Sequence, residues 1–154
     1  MALWRADVPG GALISNGLAT MGFALPAAIA RALHDPGRPT LAFTGDGGLM
    51  MCAGELATAA QQRARLCVVV FNDGALSLIA LKQRNRGMAP AGVGWSRADF
   101  ADVARGFGLR AFSVHDEAGY RQALRAALDH DGPSLIDVRV DPTGYQAQAR
   151  ALRG

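Results

Sequence analysis

The sequence predicts an α/β domain of three layers, α/β/α, around a mostly parallel sheet. Three observations carry that expectation. Short apolar, β-branched runs alternate with longer amphipathic stretches along residues 12–140, the pattern of consecutive βαβ units. The runs at 66–71 (LCVVVF) and 135–140 are rich in apolar and β-branched residues, as expected of parallel strands covered on both faces. The chain has 154 residues, 50% of them hydrophobic. That is the size of one domain, 1–154, with a core that requires neither a disulfide nor a structural metal.

The elements follow in order. Strands are expected at 12–14, 40–44, 66–71, 110–114 and 134–140, and helices at about 22–34, 51–63, 76–84, 96–107 and 117–130. The first helix runs into a turn made of His34, Asp35, Pro36, Gly37 and Pro39. Ser96 or Asp99 can cap the fourth helix and Asp116 the fifth, while Gly108 and Gly132 fall just past helix ends. Residues 84–95 (RNRGMAPAGVGW) form the one long irregular stretch. A loop of that kind inside a compact domain is either functional or a surface connection of no consequence.

Composition removes several classes of function. The formal net charge is +3 and aromatic residues make up 6% of the chain. The arginines are scattered, Lys82 is the sole lysine, and no aromatic residues interleave with the basic ones, so no nucleic-acid partner is expected. Cys52 and Cys67 form no CxxC or zinc pattern and read as reduced core residues of a cytoplasmic protein. No apolar run reaches membrane-spanning length and no signal peptide is evident, so no membrane partner is expected either. GxGxxG, GxxxxGK[ST] and GxSxG motifs are absent. His34, His115 and His130 fall at a turn, a strand end and a helix end, places that suit surface or capping residues.

In an open α/β sheet, ligands bind beyond the carboxyl ends of the strands. Gly45-Asp46-Gly47-Gly48 follows the strand at 40–44, and Asn72-Asp73-Gly74 follows the strand at 66–71. Both are polar, glycine-bearing loops at the same sheet edge, so Asp46 and Asp73 are expected to converge. Two adjacent carboxylates repel, and a hard cation such as Mg2+ relieves that while leaving coordination sites for phosphate and water. Gly47 and Gly48 let backbone N–H groups approach an anion, at the positive end of the helix that follows. Either loop alone reads as a tight turn, since Asp-Gly is a common turn dipeptide. The pair, at successive strand ends of one βαβ unit, points to a metal–phosphate site.

Gly45-Asp46-Gly47 followed by Asn72-Asp73 resembles the signature of thiamine diphosphate-dependent enzymes, GDG and then a paired Asn-Asn or Asn-Asp. The flanks are similar to acetolactate synthase-type and 2-oxo acid decarboxylase-like members: SNGLATMGFALPAAI at 15–29, GELATA at 54–59 and DGPSLIDV at 131–138. Four motifs in the right order span nearly the whole chain. The resemblance implies the thiamine diphosphate-binding fold of the C-terminal, diphosphate-type domain, with thiamine diphosphate and Mg2+ as cofactors. Residue by residue, it implies Asp46 and Asp73 as metal ligands through their side chains and Ala75 through its carbonyl, with Asn72 in support. Gly45, Gly47 and Gly48 would cradle the diphosphate, although many relatives carry Ser or Ala at the Gly48 position. Ala19 would hold the aminopyrimidine amino group through its carbonyl, and Met21 would be the apolar wedge that bends the cofactor.

The implied activity is decarboxylation of a 2-oxo acid or its coupling to a second carbonyl compound, with the cofactor as electron sink. Lys82 stands where biosynthetic acetolactate synthases carry tryptophan and catabolic ones glutamine. It is either a solvated lysine or a group that meets an anionic substrate, as split sulfopyruvate or phosphonopyruvate decarboxylases would require. A larger departure concerns the glutamate that activates the cofactor. The family takes it from a separate pyrimidine-binding domain, and this chain has only Glu55 and Glu117, neither in a matching context. The expected partner is therefore a pyrimidine-domain subunit, or a missing N-terminal region, in an oligomer that is inactive without it. A non-catalytic cofactor-binding or assembly module is the alternative.

Overall fold

The computed structural model describes residues 5–153. Four strands, β1 (Thr40–Gly45), β2 (Leu66–Asn72), β3 (Arg110–Val114) and β4 (Ser134–Arg139), form one parallel sheet in the order β1-β2-β4-β3. Among the described residues the helices are α1 (Ala24–His34), α2 (Asp46–Met50), α3 (Glu55–Gln61), α4 (Ser77–Asn85), α5 (Phe100–Gly106), α6 (Glu117–Leu128) and α7 (Tyr145–Arg153), with a 3-10 turn at Pro142–Gly144.

The alternation of β2 builds two cores. Leu66, Val68 and Val70 point into the larger one, against Leu25 and Ile29 of α1, Leu56 and Ala59 of α3, and Phe100 and Ala104 of α5. Cys67 and Val69 point the other way, against Ala123 and Ala127 of α6 with Ile136 and Val114. A strand covered on both faces has no polar side to present, which is why LCVVV is unbroken. The three-layer α/β/α arrangement is thus the one the alternation implies.

The differences from the sequence reading have local causes. Residues 12–14 form no strand. The apolar triplet is short, Gly10, Gly11 and Gly17 lie close by in sequence, and β1 pairs only with β2 among the described residues. Helix formation does not wait until residue 51: α2 starts at Asp46, breaks after Met50 and resumes as α3 at Glu55. The fourth helix starts at Phe100 rather than 96, because Asp99 takes the cap and accepts from Asp102 N at 2.9 Å. Asp116 caps α6 as expected, accepting from Gly119 N at 2.7 Å. The 3-10 turn and α7 were not expected from the sequence. Both cysteines are free thiols, Cys67 buried.

Candidate functional site

The register of the sheet brings the two motif loops together. Gly45, the last residue of β1, pairs with Phe71 of β2, so Asp46 and Asn72 leave adjacent parallel strands level with one another. Asp46 Oδ1 accepts from Gly47 N at 2.8 Å, and Oδ2 reaches across to accept from Gly74 N at 2.8 Å. One carboxylate thereby ties the two strand exits into a single turn. Only 3% of Asp46 is exposed. Burial pushes its pKa upward against the pull of the Gly47 and Gly74 amides, and the charge of Asp73 pushes it further.

Asp73 is fixed by its own loop: Oδ1 accepts from Ala75 N at 3.1 Å and Oδ2 from Ser77 Oγ at 2.7 Å. Gly74 carries φ +79°, a left-handed turn that a side chain would strain. An antiparallel bridge joins Ala75 to Gly94, through Leu76 N to Val93 O (2.8 Å) and Trp95 N to Gly74 O (3.0 Å). Ala75's own carbonyl takes no part in that pair of bonds. Neither Asp46 nor Asp73 forms an ion pair among the described residues. The donors that hold their oxygens are neutral amides and hydroxyls, which leave both charges uncancelled. Two uncompensated carboxylates of this kind fit a hard cation. Among the described residues no three His, Cys, Asp or Glu gather at one point, so the remaining ligands of such an ion would be carbonyl, phosphate or water oxygens.

Beside the carboxylates lies an apolar cradle over Gly47. A Cβ at Gly47 would stand 2.6 Å from Leu76 Cδ2, 3.3 Å from Met21 Cε and 3.4 Å from Trp95 Cη2. At Gly48 it would stand 2.6 Å from Thr44 Oγ1, so that glycine leaves room for the Thr44 hydroxyl. Gly45 ends β1 in extended conformation. The five-residue α2 is too short to add much macrodipole, so individual backbone amides, not a helix end, are what this turn offers an anion. Met21 is 41% exposed although its methyl end reaches the cradle. Ala19, just before it in the chain, holds φ +49°, a left-handed conformation unusual for alanine.

Two expected residues stand apart. Asn72 is fully buried; its Nδ2 donates to Ala98 O (2.9 Å) and to Asp137 Oδ1 (3.0 Å), while its Oδ1 has no partner among the described residues. Its Nδ2 bonds anchor the chain just before Asp73. Lys82 is exposed in the last turn of α4 and pairs with nothing among the described residues. It lies roughly 7–8 Å along the helix axis from Ser77 at 1.5 Å per residue.

Four residues were missed. Trp95 and Leu76 wall the cradle, Ser77 holds Asp73, and the Tyr145 phenol lies beside Asp73 with its pKa pushed up to about 12 by burial and by the Asp73 charge. Trp95 ends the irregular stretch at 84–95, and that was the available signal; Tyr145 gave none. A cleft of about 370 Å3 lies elsewhere, between Phe71, Tyr120 and Val138 on the α6 face. Its rim acids are engaged, Asp116 as the α6 cap and Glu117 with Arg121.

Comparison with known proteins agrees with the motif loops. The family described as "Thiamine pyrophosphate enzyme, C-terminal TPP binding domain" matches residues 1–138. The Escherichia coli (strain K12) acetolactate synthase isozyme 1 large subunit is 39% identical over 132 residues, covering 84% of this chain and 23% of that protein. The 3D-(3,5/4)-trihydroxycyclohexane-1,2-dione hydrolase of Clostridium perfringens is 28% identical over 162 residues, covering 94% of this chain and 25% of that one. Among solved structures, the Rhodococcus jostii RHA1 thiamine diphosphate-dependent 4-hydroxybenzoylformate decarboxylase superposes with a TM-score of 0.74 at 30% identity, covering 80% of this chain and 24% of that chain. The chain spans about a quarter of the length of these relatives. It belongs to the thiamine pyrophosphate-dependent enzymes, as a C-terminal TPP-binding domain.

Proposed function

We propose that this chain supplies the Mg2+- and diphosphate-binding half of the active site in a thiamine diphosphate-dependent 2-oxo acid decarboxylase or carboligase. The observation that carries the proposal is Asp46: a carboxylate 3% exposed, held by the amides of two strand exits, facing Asp73 and lacking a protein cation. Asp46, Asp73 and the Ala75 carbonyl would hold the metal. Gly45, Gly47 and Gly48 would lie against the diphosphate, and Met21 and the Ala19 carbonyl against the rest of the cofactor. When bound, thiamine diphosphate supplies the carbon that adds to the oxo group and takes up the electrons released with CO2. The chain's own contribution is position and charge: two fixed carboxylates, closely approaching amides and an apolar wall that keeps water from the turn.

A partner is part of the proposal. Glu55 is engaged by Thr58 Oγ1 (2.9 Å) on α3, and Glu117 pairs with Arg121 on α6. The activating glutamate would therefore come from a pyrimidine-binding domain, in another subunit or in a region beyond these residues. Leu18, Met21, Leu78 and Ile79, on segments flanking the turns, are 94%, 41%, 55% and 43% exposed, which suits a surface that another domain covers. Lys82 would meet an anionic group of the substrate on that side. No described helix is long and apolar enough to cross a membrane, and a cytoplasmic oligomer is the setting proposed. The test is calorimetric titration of the chain with thiamine diphosphate and MgCl2, alone and mixed with a pyrimidine-binding domain. Mg2+-dependent binding, and 2-oxo acid decarboxylation only in the mixture, are expected. Absence of binding in both would overturn the proposal.

A further inference from the structure

We propose that Tyr145 is a positioning residue of the metal turn: its hydroxyl donates to the Asp73 carboxylate and fixes the orientation in which Asp73 meets a cation. This rests on the function proposed above. Of residues 141–148, Tyr145 alone is not exposed. It is the side chain by which the start of α7 turns in toward the body of the domain. It turns in beside Asp73, close enough for a hydrogen bond, and near enough to Asp46 to feel that charge as well. A carboxylate only accepts, so the phenol donates there. Tyr145 also lies outside residues 1–138, the span that matches the family, so that match assigns it no role.

The backbone carries the phenol to that place. β4 runs parallel to β2 with Arg139 level with Asn72, and the next residue, Val140, donates its N–H to Asn72 O at 3.1 Å. Val140 O accepts from Arg97 NH2 at 3.2 Å, and the Arg97 stem packs on Gly74, where a Cβ would stand 3.1 Å from Arg97 Cγ. The exit of β4 is thus tied to the residues on both sides of Asp73. Asp141 then caps the 3-10 turn, accepting from Thr143 N at 2.9 Å, and that turn delivers Tyr145 as the first residue of α7. The other donors on Asp73, Ala75 N and Ser77 Oγ, come from its own loop. Tyr145 comes from a distant part of the chain and ties the carboxylate to the frame of β4. Outer partners of this kind hold a metal-ligating carboxylate in one orientation, and losing one costs about 10–100-fold in metal affinity.

The test is calorimetry on the full chain, alone and mixed with a pyrimidine-binding domain, with inorganic pyrophosphate titrated in at a series of MgCl2 concentrations. Tyr145→Phe keeps the ring and removes the donor. It should raise the Mg2+ concentration needed for half-saturation about tenfold, with the urea midpoint of unfolding little changed. In the Asp73→Asn background the same substitution should have little further effect, because a residue that acts through Asp73 loses its role with that carboxylate. An unchanged Mg2+ requirement in Tyr145→Phe would make the phenol a packing group and overturn the proposal. A lowered requirement would make it a competitor for the cation's place, and overturn it equally. Equal losses in the two backgrounds would make Tyr145 a direct contact of pyrophosphate, again against the proposal. Each of these outcomes leaves the proposed function standing, whereas no Mg2+-dependent binding by the unaltered chain in either arm would overturn both.

Discussion

Replacing Asp137 by alanine should destabilise the fold severely, although Asp137 lies outside the candidate site. Its carboxylate is fully buried and serves three donors: Asn72 Nδ2 at 3.0 Å, Phe100 N at 3.1 Å and Arg139 NH2 at 3.1 Å. Truncation leaves Phe100 N without that acceptor at the start of α5 and removes one of the two groups that Asn72 Nδ2 reaches. It also leaves the Arg139 side chain, 15% exposed, with Ala98 O at 3.1 Å and a longer contact to Asp99 at 3.6 Å. Breaking a buried ion pair from one side costs roughly 3–5 kcal/mol, because the surviving charge stays buried. A domain holds about 5–15 kcal/mol in total. With a urea slope of about 1–3 kcal/mol/M, the unfolding midpoint should fall by roughly 2 M. Far-UV circular dichroism in urea reads this directly. Asp137→Asn keeps the shape and an acceptor but not the charge, and should lose about half as much. Asp137→Leu combined with Arg139→Met should recover part of the loss, since no unpaired charge remains. A loss below about 1 kcal/mol in Asp137→Ala, at unchanged slope, would show that the buried pair does not carry this weight in the fold.

Other expectations follow from single residues. Ala19→Gly removes an alanine from φ +49° at an exposed position. The left-handed penalty of about 1–2 kcal/mol is partly offset by the extra entropy of an unfolded glycine, so a net gain near 0.5–1 kcal/mol is expected. Scanning calorimetry should show Tm rising by a few degrees, and a lower Tm would contradict the assigned conformation. The Cys67 thiol has its pKa pushed up by burial to about 11 from 9.0. Between those values the unfolded chain has lost the proton and the folded chain has kept it, so stability must fall as pH rises across that window, by about 2–3 kcal/mol at 1.36 kcal/mol per unit. The alkaline slope of the urea midpoint should flatten in Cys67→Ala, and an unchanged slope would locate the effect elsewhere. Asp73→Asn keeps an acceptor for Ala75 N and can donate its amide N–H to Ser77 Oγ, while removing one of the two charges. Calorimetry should show Mg2+-dependent pyrophosphate affinity falling tenfold or more with the urea midpoint little changed; equal affinity would count against Asp73 as a ligand.

The strands from 40 onward were legible in the sequence because burial on both faces leaves no freedom: LCVVV can only be a central strand. The paired loops were legible for a related reason. A glycine-aspartate turn at the end of each of two successive strands places both carboxylates at one edge whatever the helix between them does. Residues 12–14 misled because an apolar triplet carries strand propensity but not a pairing partner, and pairing is a tertiary fact. Asn72 was legible as the neighbour of Asp73 but not as a core residue, because its Nδ2 bonds to Asp137 and Ala98 come from distant parts of the chain. Trp95 could not be assigned to the turn from sequence, because the Ala75–Gly94 bridge that brings it there is an isolated contact with no periodic signature.

Several local breaches of stability rules converge near Gly47, and that convergence is itself physical evidence for a ligand. Ala19 is held in a left-handed conformation, Asp46 is a buried carboxylate without a cation, and Trp95 carries a buried donor without an acceptor. Each costs on the order of a kcal/mol or more in the isolated chain. Comparable features elsewhere have ordinary explanations. Arg63, the other non-glycine residue at positive φ, follows the end of α3, where helices commonly close in that conformation. Arg31 NH1, Arg65 Nε and Asn72 Oδ1 also lack partners, but a guanidinium has five donors, Arg31 already binds Asp35 at 2.9 Å, and Asn72 is held through its Nδ2. A sequence selected for stability alone would put glycine at 19, an uncharged residue at 46 and phenylalanine at 95. Retaining a buried, uncompensated carboxylate at this turn makes sense if a guest relieves it: a cation answers Asp46.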